Sequence, residues 1–152
     1  MDDIAEAYLY AAARAEHVRG VVLPALKSGK VVLCDRYLDS SVAYQGYGRE
    51  LGVEFVRRVN QQAVGCCLPD RTYLLVLGAA DAEKRVTNRG EKDRMESAGD
   101  AFGRRVAEGF LQIAKDEPDR VKIVDAGQDR ETIARCIAQD VANLQTKAWT
   151  ER

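Results

Sequence analysis

The sequence predicts an α/β fold built on a parallel sheet, and three observations carry that expectation. Short apolar runs, Val31-Val32-Leu33-Cys34, Thr72-Tyr73-Leu74-Leu75-Val76-Leu77 and Val121-Lys122-Ile123-Val124, alternate with longer stretches whose apolar residues recur at helical steps. Strands that alternate with helices pack as a sheet covered by helices. The first run ends abruptly in Asp35-Arg36, as a buried strand does when its carboxyl end opens onto a ligand site. With 152 residues, 46% of them hydrophobic, the chain forms one domain with a real core and is too short for two ordinary ones.

Each element follows from its own pattern. From Asp3 to Ser28, Ile4, Tyr8, Ala11, Ala15, Val18, Val22 and Leu26 form an apolar helical stripe, which Lys27-Ser28-Gly29 stops. Residues 31–34 then read as a buried strand with Cys34 inside it. Val53 to Ala63 is a second amphipathic helix, with Val53, Val56 and Val59 on one side. Pro69-Asp70 leads into a strand over 72–77, followed by a helix from Ala80 to Asn88 closed by Gly90. Ala101 to Lys115 is helical, 121–124 is a short strand ending at Asp125-Ala126-Gly127, and Arg130 to Leu144 is a last helix with a frayed tail beyond it.

Composition excludes several classes. Lys and Arg number 23 against 24 Asp and Glu, a net charge of −1, which argues against a dedicated nucleic-acid binder. No apolar run approaches the length of a membrane span, and Met1-Asp2-Asp3-Ile4-Ala5-Glu6 is too acidic for a signal peptide. The cysteines at 34, 66, 67 and 136 have no Cys-x-x-Cys spacing, so reduced thiols in a cytoplasm fit better than a disulfide framework or a zinc site. One histidine and no ligand cluster leave no protein-held transition metal.

Four constellations bear on chemistry. Asp35 and Arg36 at a buried strand end would need a counter-charge, a metal or a phosphate, although a surface Asp-Arg pair satisfies the same letters. The segment after them carries Ser40, Ser41, Tyr44 and Gln45, hydrogen-bonding groups suited to reading a ligand. On the first helix, Tyr10, Arg14 and His17 form a stripe of their own, where a ring and a guanidinium can stack on and edge-bond a flat heterocycle; a core-margin tyrosine and a solvated arginine fit equally. Arg85, Arg89 and, past the Gly90 turn, Arg94 can converge on an anion such as a triphosphate, or be neutralised locally by Glu83, Glu91, Asp93 and Glu96. Gly46-Tyr47-Gly48 has the wrong spacing for a dinucleotide fingerprint, and Asp125-Ala126-Gly127 is either a ligand loop or an ordinary turn.

In order along the chain, these segments resemble bacterial thymidylate kinases. The resemblance rests on Leu9-Tyr10-Ala11-Ala12-Ala13-Arg14-Ala15-Glu16-His17, Asp35-Arg36-Tyr37 and Asp39-Ser40-Ser41-Val42-Ala43-Tyr44-Gln45-Gly46. It continues through Pro69-Asp70, the run 72–77, Arg89-Gly90-x-x-Asp93-Arg94-Met95-Glu96 and Val124-Asp125-Ala126. It implies a P-loop kinase-type three-layer α/β/α fold and transfer of the γ-phosphoryl of ATP to dTMP with Mg²⁺, yielding dTDP on the way to dTTP. By position, Tyr10 matches the ring that stacks on thymine and Arg14 the arginine at a thymine carbonyl. Ser41 and Gln45 match the residues reading the base edge, and Tyr44 the sugar pocket. Arg36 matches the arginine on the monophosphate, and Asp35 the acid that orients the acceptor and, at most indirectly, the metal. Arg89 matches the catalytic arginine of a lid over about 85–96, with Arg94 beside it. Arg85 and the loop at Asp125 and Ala126 match the adenine surroundings of ATP. The family is usually a cytoplasmic homodimer.

One departure is large. The sequence contains no Gly-x-x-x-x-Gly-Lys-[Ser/Thr], so the phosphate-binding loop and the strand–loop–helix portion that carries it in the family are absent from these residues. A strand, loop and helix take about 30 residues or more. The expectation is therefore a C-terminal portion of a kinase domain, inactive alone, with inner strands facing a gap. Alternatives are another nucleoside or nucleotide kinase of the same fold, a non-catalytic nucleotide-binding remnant, and an interaction domain.

Overall fold

A computed structural model describes residues 1–78 and 99–150, with side chains as far as position 144. The expected helix 80–88 and the arginines Arg85, Arg89 and Arg94 lie outside the described residues. The chain opens with α1 (Asp3–His17), which passes through a π-helical turn (Val18–Val22) into α2 (Leu23–Lys27). The Asp2 carboxylate caps α1 by accepting from Ile4 N–H and Ala5 N–H at 3.0 and 3.1 Å, and Asp3 and Glu6 complement the positive end of its dipole. Pro24 has no N–H to give the preceding turn, and the widened π turn lets the helix continue past it. Gly29, at φ 75°, closes the run.

The apolar stripe expected on this helix is rotated in the structure. Ala7, Ala11, Val18 and Val22 are buried with Glu6, whereas Ile4, Tyr8 and Leu26 are exposed. Two alanines let α1 lie close against α4 (Val53–Val64), and Tyr8 reaches α4 only at its margin, edge-on to Phe55 at 6.1 Å.

Between them, α3 (Leu38–Ser41) runs on as a π-helix over Val42–Gly48. The polar, glycine-containing composition that reads as a ligand loop is helical here because Val42 and Ala43 face the core on one side. Strand β1 (Thr72–Val76), helix α5 (Asp100–Asp116), strand β2 (Val121–Asp125) and helix α6 (Arg130–Thr150) complete the described order. Helix α6 continues past Leu144, where fraying was expected. β1 and β2 pair in parallel from Thr72↔Val121 to Val76↔Asp125, extended by Ala126 N–H to Val76 O at 2.8 Å. The parallel α/β reading holds.

The expected strand over 31–34 does not form. Val31 and Leu33 are 60% and 84% exposed, and Cys34, expected inside it, is exposed as well. A strand needs a hydrogen-bonded neighbour, and among the described residues β1 pairs with β2 alone. Asp35 and Arg36 are consequently exposed rather than buried charges.

The main core joins Val42, Ala43, Val56, Phe102, Val106, Ile113, Ala114 and Val121, drawn from the π-helix, α4, α5 and β2. On α5, Phe102, Val106, Gly109 and Ile113 make the buried stripe. Two glycines set how closely α5 and the π-helix approach. A methyl at Gly48 would stand 2.7 Å from Phe102 and Val106, and one at Gly109 would stand 2.7 Å from the Tyr47 ring.

Candidate functional site

The loop 35–37 and the helix that follows it bring three of the expected residues together. Arg36 has φ 63°, a left-handed conformation that costs a non-glycine residue about 1–3 kcal/mol and is concentrated at ligand sites. In that pose its guanidinium donates to the Tyr44 hydroxyl at 2.9 Å and stands over the Tyr44 ring, 5.3 Å from its centre. Tyr44 is wedged edge-on between Phe102 at 6.2 Å and Phe110 at 6.1 Å. The core thus holds the ring, and the ring holds the cation. Ser41, one turn earlier, is buried.

From α1, Arg14 reaches the same loop. It donates to the Tyr37 carbonyl at 3.0 Å and to the Asn60 side-chain oxygen, and its guanidinium lies 5.5 Å from the Tyr37 ring centre. Burial pulls its pKa below the ordinary arginine value, and the nearby Tyr37, Cys34 and Asp39 oppose that only in part. Asn60 is itself fixed by donating to Val56 O at 2.9 Å. Tyr37 donates its hydroxyl to Cys67 O at 3.2 Å, and burial pushes its phenol up to about 12. Tyr10, on the same stripe of α1, is 45% exposed, so its ring has a face to offer a ligand.

Gln45 is occupied differently from what the sequence suggests. It is buried and donates to Glu6 Oε1 at 3.0 Å, while Arg49 donates to both Glu6 oxygens at 3.3 Å. Arg49 also pairs with Asp3 at 3.3 Å and lies over the Phe102 ring at 5.0 Å. Glu6 is only 2% exposed, a buried carboxylate met by a guanidinium and an amide. A second buried pair fixes the start of α3. Arg120 grips Asp39 with two bonds of 2.8 and 2.7 Å, and Thr72 adds a third at 3.0 Å. Burial pulls the Arg120 pKa down, but the bonds from Asp39 and Glu117 outweigh it and leave it raised.

Asp35, beside Arg36 in the same loop, is exposed. Asp125 accepts from Gly127 N–H at 2.8 Å and Ala126 is buried in the β2 ladder extension, the geometry of an ordinary turn. Among the described residues, no group of three or more His, Cys, Asp or Glu side chains is placed to hold a metal ion. A cleft of about 390 Å³ opens between the π-helix and α5, lined by Gly46, Tyr47, Glu50, Gly52, Val53, Arg105 and Glu108. None of the expected site residues lines it, and Arg105 is committed to Gly48 O at 3.1 and 2.8 Å.

Glu6, Asn60 and Arg120 escaped the sequence reading, and Asp39 was read only as part of the motif over 39–46. The signals are faint: an acid on the apolar side of a helix, an arginine just before a strand.

A family model described as thymidylate kinase matches residues 1–137. The chain belongs to the thymidylate kinase family. A thymidylate kinase of Exiguobacterium sibiricum is 48% identical over 147 residues, 97% of this chain and 69% of that protein. One of Bifidobacterium longum is 47% identical over 140 residues, covering 92% and 67%. The crystal structure of thymidylate kinase from Ehrlichia chaffeensis superposes with a TM-score of 0.72 at 27% identity, over 93% of this chain and 66% of that one. The chain therefore spans about two thirds of the length of the thymidylate kinases it matches, and its fold is that of the family, nucleoside monophosphate kinases that are phosphotransferases.

Proposed function

We propose that these residues form the acceptor half of a thymidylate kinase, which binds dTMP and presents its phosphate to the γ-phosphoryl of ATP. The observation that carries this reading is the family match over residues 1–137, and the arrangement around Arg36 supports it. Phosphoryl transfer requires alignment and charge neutralisation rather than a protein nucleophile. Tyr10 offers a ring for the thymine and Arg14 a donor for its carbonyl, held by Asn60 and Tyr37. Ser41 and Gln45 supply polar groups to the base edge, with Gln45 exchanging its bond to Glu6 for one to the ligand. Tyr44 lines the sugar, and Arg36, strained and braced on that ring, meets the monophosphate. A pocket that hydrogen-bonds the base edge rejects the wrong base because buried polar groups would be left unpaired.

Catalytic roles for Asp35, Arg36 and Arg89, ATP contacts from Arg85, Arg89, Arg94, Asp125 and Ala126, and a lid over about 85–96 complete the proposal for one domain over 1–152. Mg²⁺ is commonly held by one or two carboxylates together with substrate phosphates. The exposed Asp35 carboxylate, next to Arg36 in sequence, would supply one such ligand. When bound, Mg²⁺ would neutralise charge on the phosphates. The activity belongs in the cytoplasm, and no helix among the described residues is long and apolar enough to cross a membrane. Exposed Ile4, Leu9, Val21 and Leu26 on the first helices support a homodimer, for which light scattering should return twice the chain mass.

Competition among nucleoside monophosphates tests the substrate. dTMP is expected to outcompete dCMP, dAMP and dGMP by at least about a hundredfold, the discrimination of a hydrogen-bonding pocket; equal binding of all four would overturn the assignment. Because these residues contain no Gly-x-x-x-x-Gly-Lys-[Ser/Thr], dTMP binding without conversion to dTDP is expected from this chain with ATP and Mg²⁺.

A further inference from the structure

We propose that Cys66 and Cys67 form a reversible disulfide that releases Tyr37 and, through it, loosens the acceptor site; the second step rests on the proposed function above. The two cysteines are adjacent, on the tight turn that ends α4. Gly65 adopts φ 56° and Cys67 N–H bonds back to Val64 O at 3.0 Å. Cys66 is exposed and Cys67 buried. Burial, with Cys66 beside it, holds the Cys67 thiol above its ordinary pKa.

The chemistry needs a small-molecule disulfide as oxidant. The exposed Cys66 thiolate attacks one sulfur of that disulfide and expels the other as a thiolate, leaving a mixed disulfide on Cys66. Cys67 then loses its proton and attacks the Cys66 sulfur, which expels the second small thiolate. The protein gives up two electrons and two thiol protons, and one oxidant molecule becomes two thiols. Adjacent α-carbons are about 3.8 Å apart, closer than the roughly 4.4–6.8 Å of ordinary disulfides. The ring closed through the Cys66–Cys67 peptide is therefore strained, and strained disulfides are the easily reduced, labile ones.

The peptide that follows the ring reaches the site. The carbonyl of Cys67 accepts the Tyr37 hydroxyl at 3.2 Å, and the carbonyl of Tyr37 accepts Arg14 at 3.0 Å. Arg14 also lies over the Tyr37 ring, and Arg36 is the preceding residue. Closing the ring turns Cys67, and with it the carbonyl on its far side, which withdraws the acceptor that fixes Tyr37. Arg14 then loses the ring and the carbonyl that hold it.

The test treats the chain with oxidised glutathione and then with dithiothreitol. In a chain carrying Cys34→Ser and Cys136→Ser, which removes the other thiols, the mass should fall by two hydrogens with no glutathione adduct, and peptide mapping should place the bond between Cys66 and Cys67. In the ¹³C-tyrosine NMR spectrum the Tyr37 ring signal, assigned with Tyr37→Phe, should move on oxidation and return on reduction. The dTMP affinity should fall about fivefold, the loss of one neutral hydrogen bond. Cys67→Ser should abolish all three responses, and the exposed Cys66→Ser does the same if the buried substitution misfolds. A stable glutathione adduct on Cys66, a covalent dimer through Cys66, or an unmoved Tyr37 signal would each overturn the proposal, as would an unchanged affinity in a chain that binds dTMP when reduced. Failure of the reduced chain to bind dTMP would count against the proposed function, while the mass and the Tyr37 signal still decide the switch.

Discussion

Arg36 combines a left-handed backbone, an exposed side chain and a guanidinium braced on the Tyr44 ring. Strain of that kind persists only where the surroundings impose it, which supports the ligand role proposed for Arg36. Replacing it, Arg36→Ala, should weaken dTMP binding about 10- to 100-fold, the loss of one or two hydrogen bonds to a charged group. Tyr10→Ala should cost about 3- to 10-fold through lost stacking. Titration of each variant checks both, and unchanged affinity would leave a mere interaction domain. Tyr10, Arg14, Arg36 and Tyr44 enter the proposal from their side-chain types and their order along the chain, and the structure adds the contacts of Arg14 with Tyr37 and of Arg36 with Tyr44. Glu6 was not: its partners Gln45 and Arg49 are distant in sequence, and only packing reveals that the carboxylate is buried. For the same reason Gln45 is readable as a hydrogen-bonding residue, but its hold on Glu6 is not.

Elements differed in how much their letters disclosed. Helices α4 and α5 follow their periodicity because each presents one apolar stripe to the core. The π-helix over 42–48 was hidden by tyrosines and glycines, whose local preferences favour a loop, while tertiary contact with α5 makes it helical. That contact depends on Gly48 and Gly109. Gly109→Ala should destabilise the chain by about 1–3 kcal/mol, since the added methyl meets the Tyr47 ring at 2.7 Å. Urea denaturation reads this directly, and a variant as stable as the parent would mean that the π-helix and α5 are not packed as described. Because the π-helix carries Tyr44, the same variant should also weaken dTMP binding.

For the whole molecule, the sheet is where sequence and structure part most widely. Val31-Val32-Leu33-Cys34 has the composition of a buried strand, yet composition cannot supply the neighbour a strand must bond to. Stability against pH also belongs to this scale. Burial, with the bond to Asp140, pushes the Tyr73 phenol up to about 12, and burial does the same for Tyr37. The unfolded chain ionises these phenols first, near pH 10. Their contribution should therefore be intact below about pH 10 and be lost progressively as the pH rises towards about 12. Asp140 has the opposite sign: the bond from Tyr73, then that from Arg71, holds its carboxyl below the ordinary range. Its contribution is present above about pH 4 and disappears as the pH falls through that lowered value. Tyr73→Phe should shrink the alkaline loss and Asp140→Asn the acid loss, both read from denaturation midpoints across pH.

The central claim is that the described residues hold a pocket for dTMP. Isothermal titration calorimetry of the chain with dTMP addresses it most directly. Saturable heat with one site per chain, strongly reduced in Arg36→Ala, is the predicted result. No heat with a folded chain, or heat unaffected by Arg36→Ala, would contradict it.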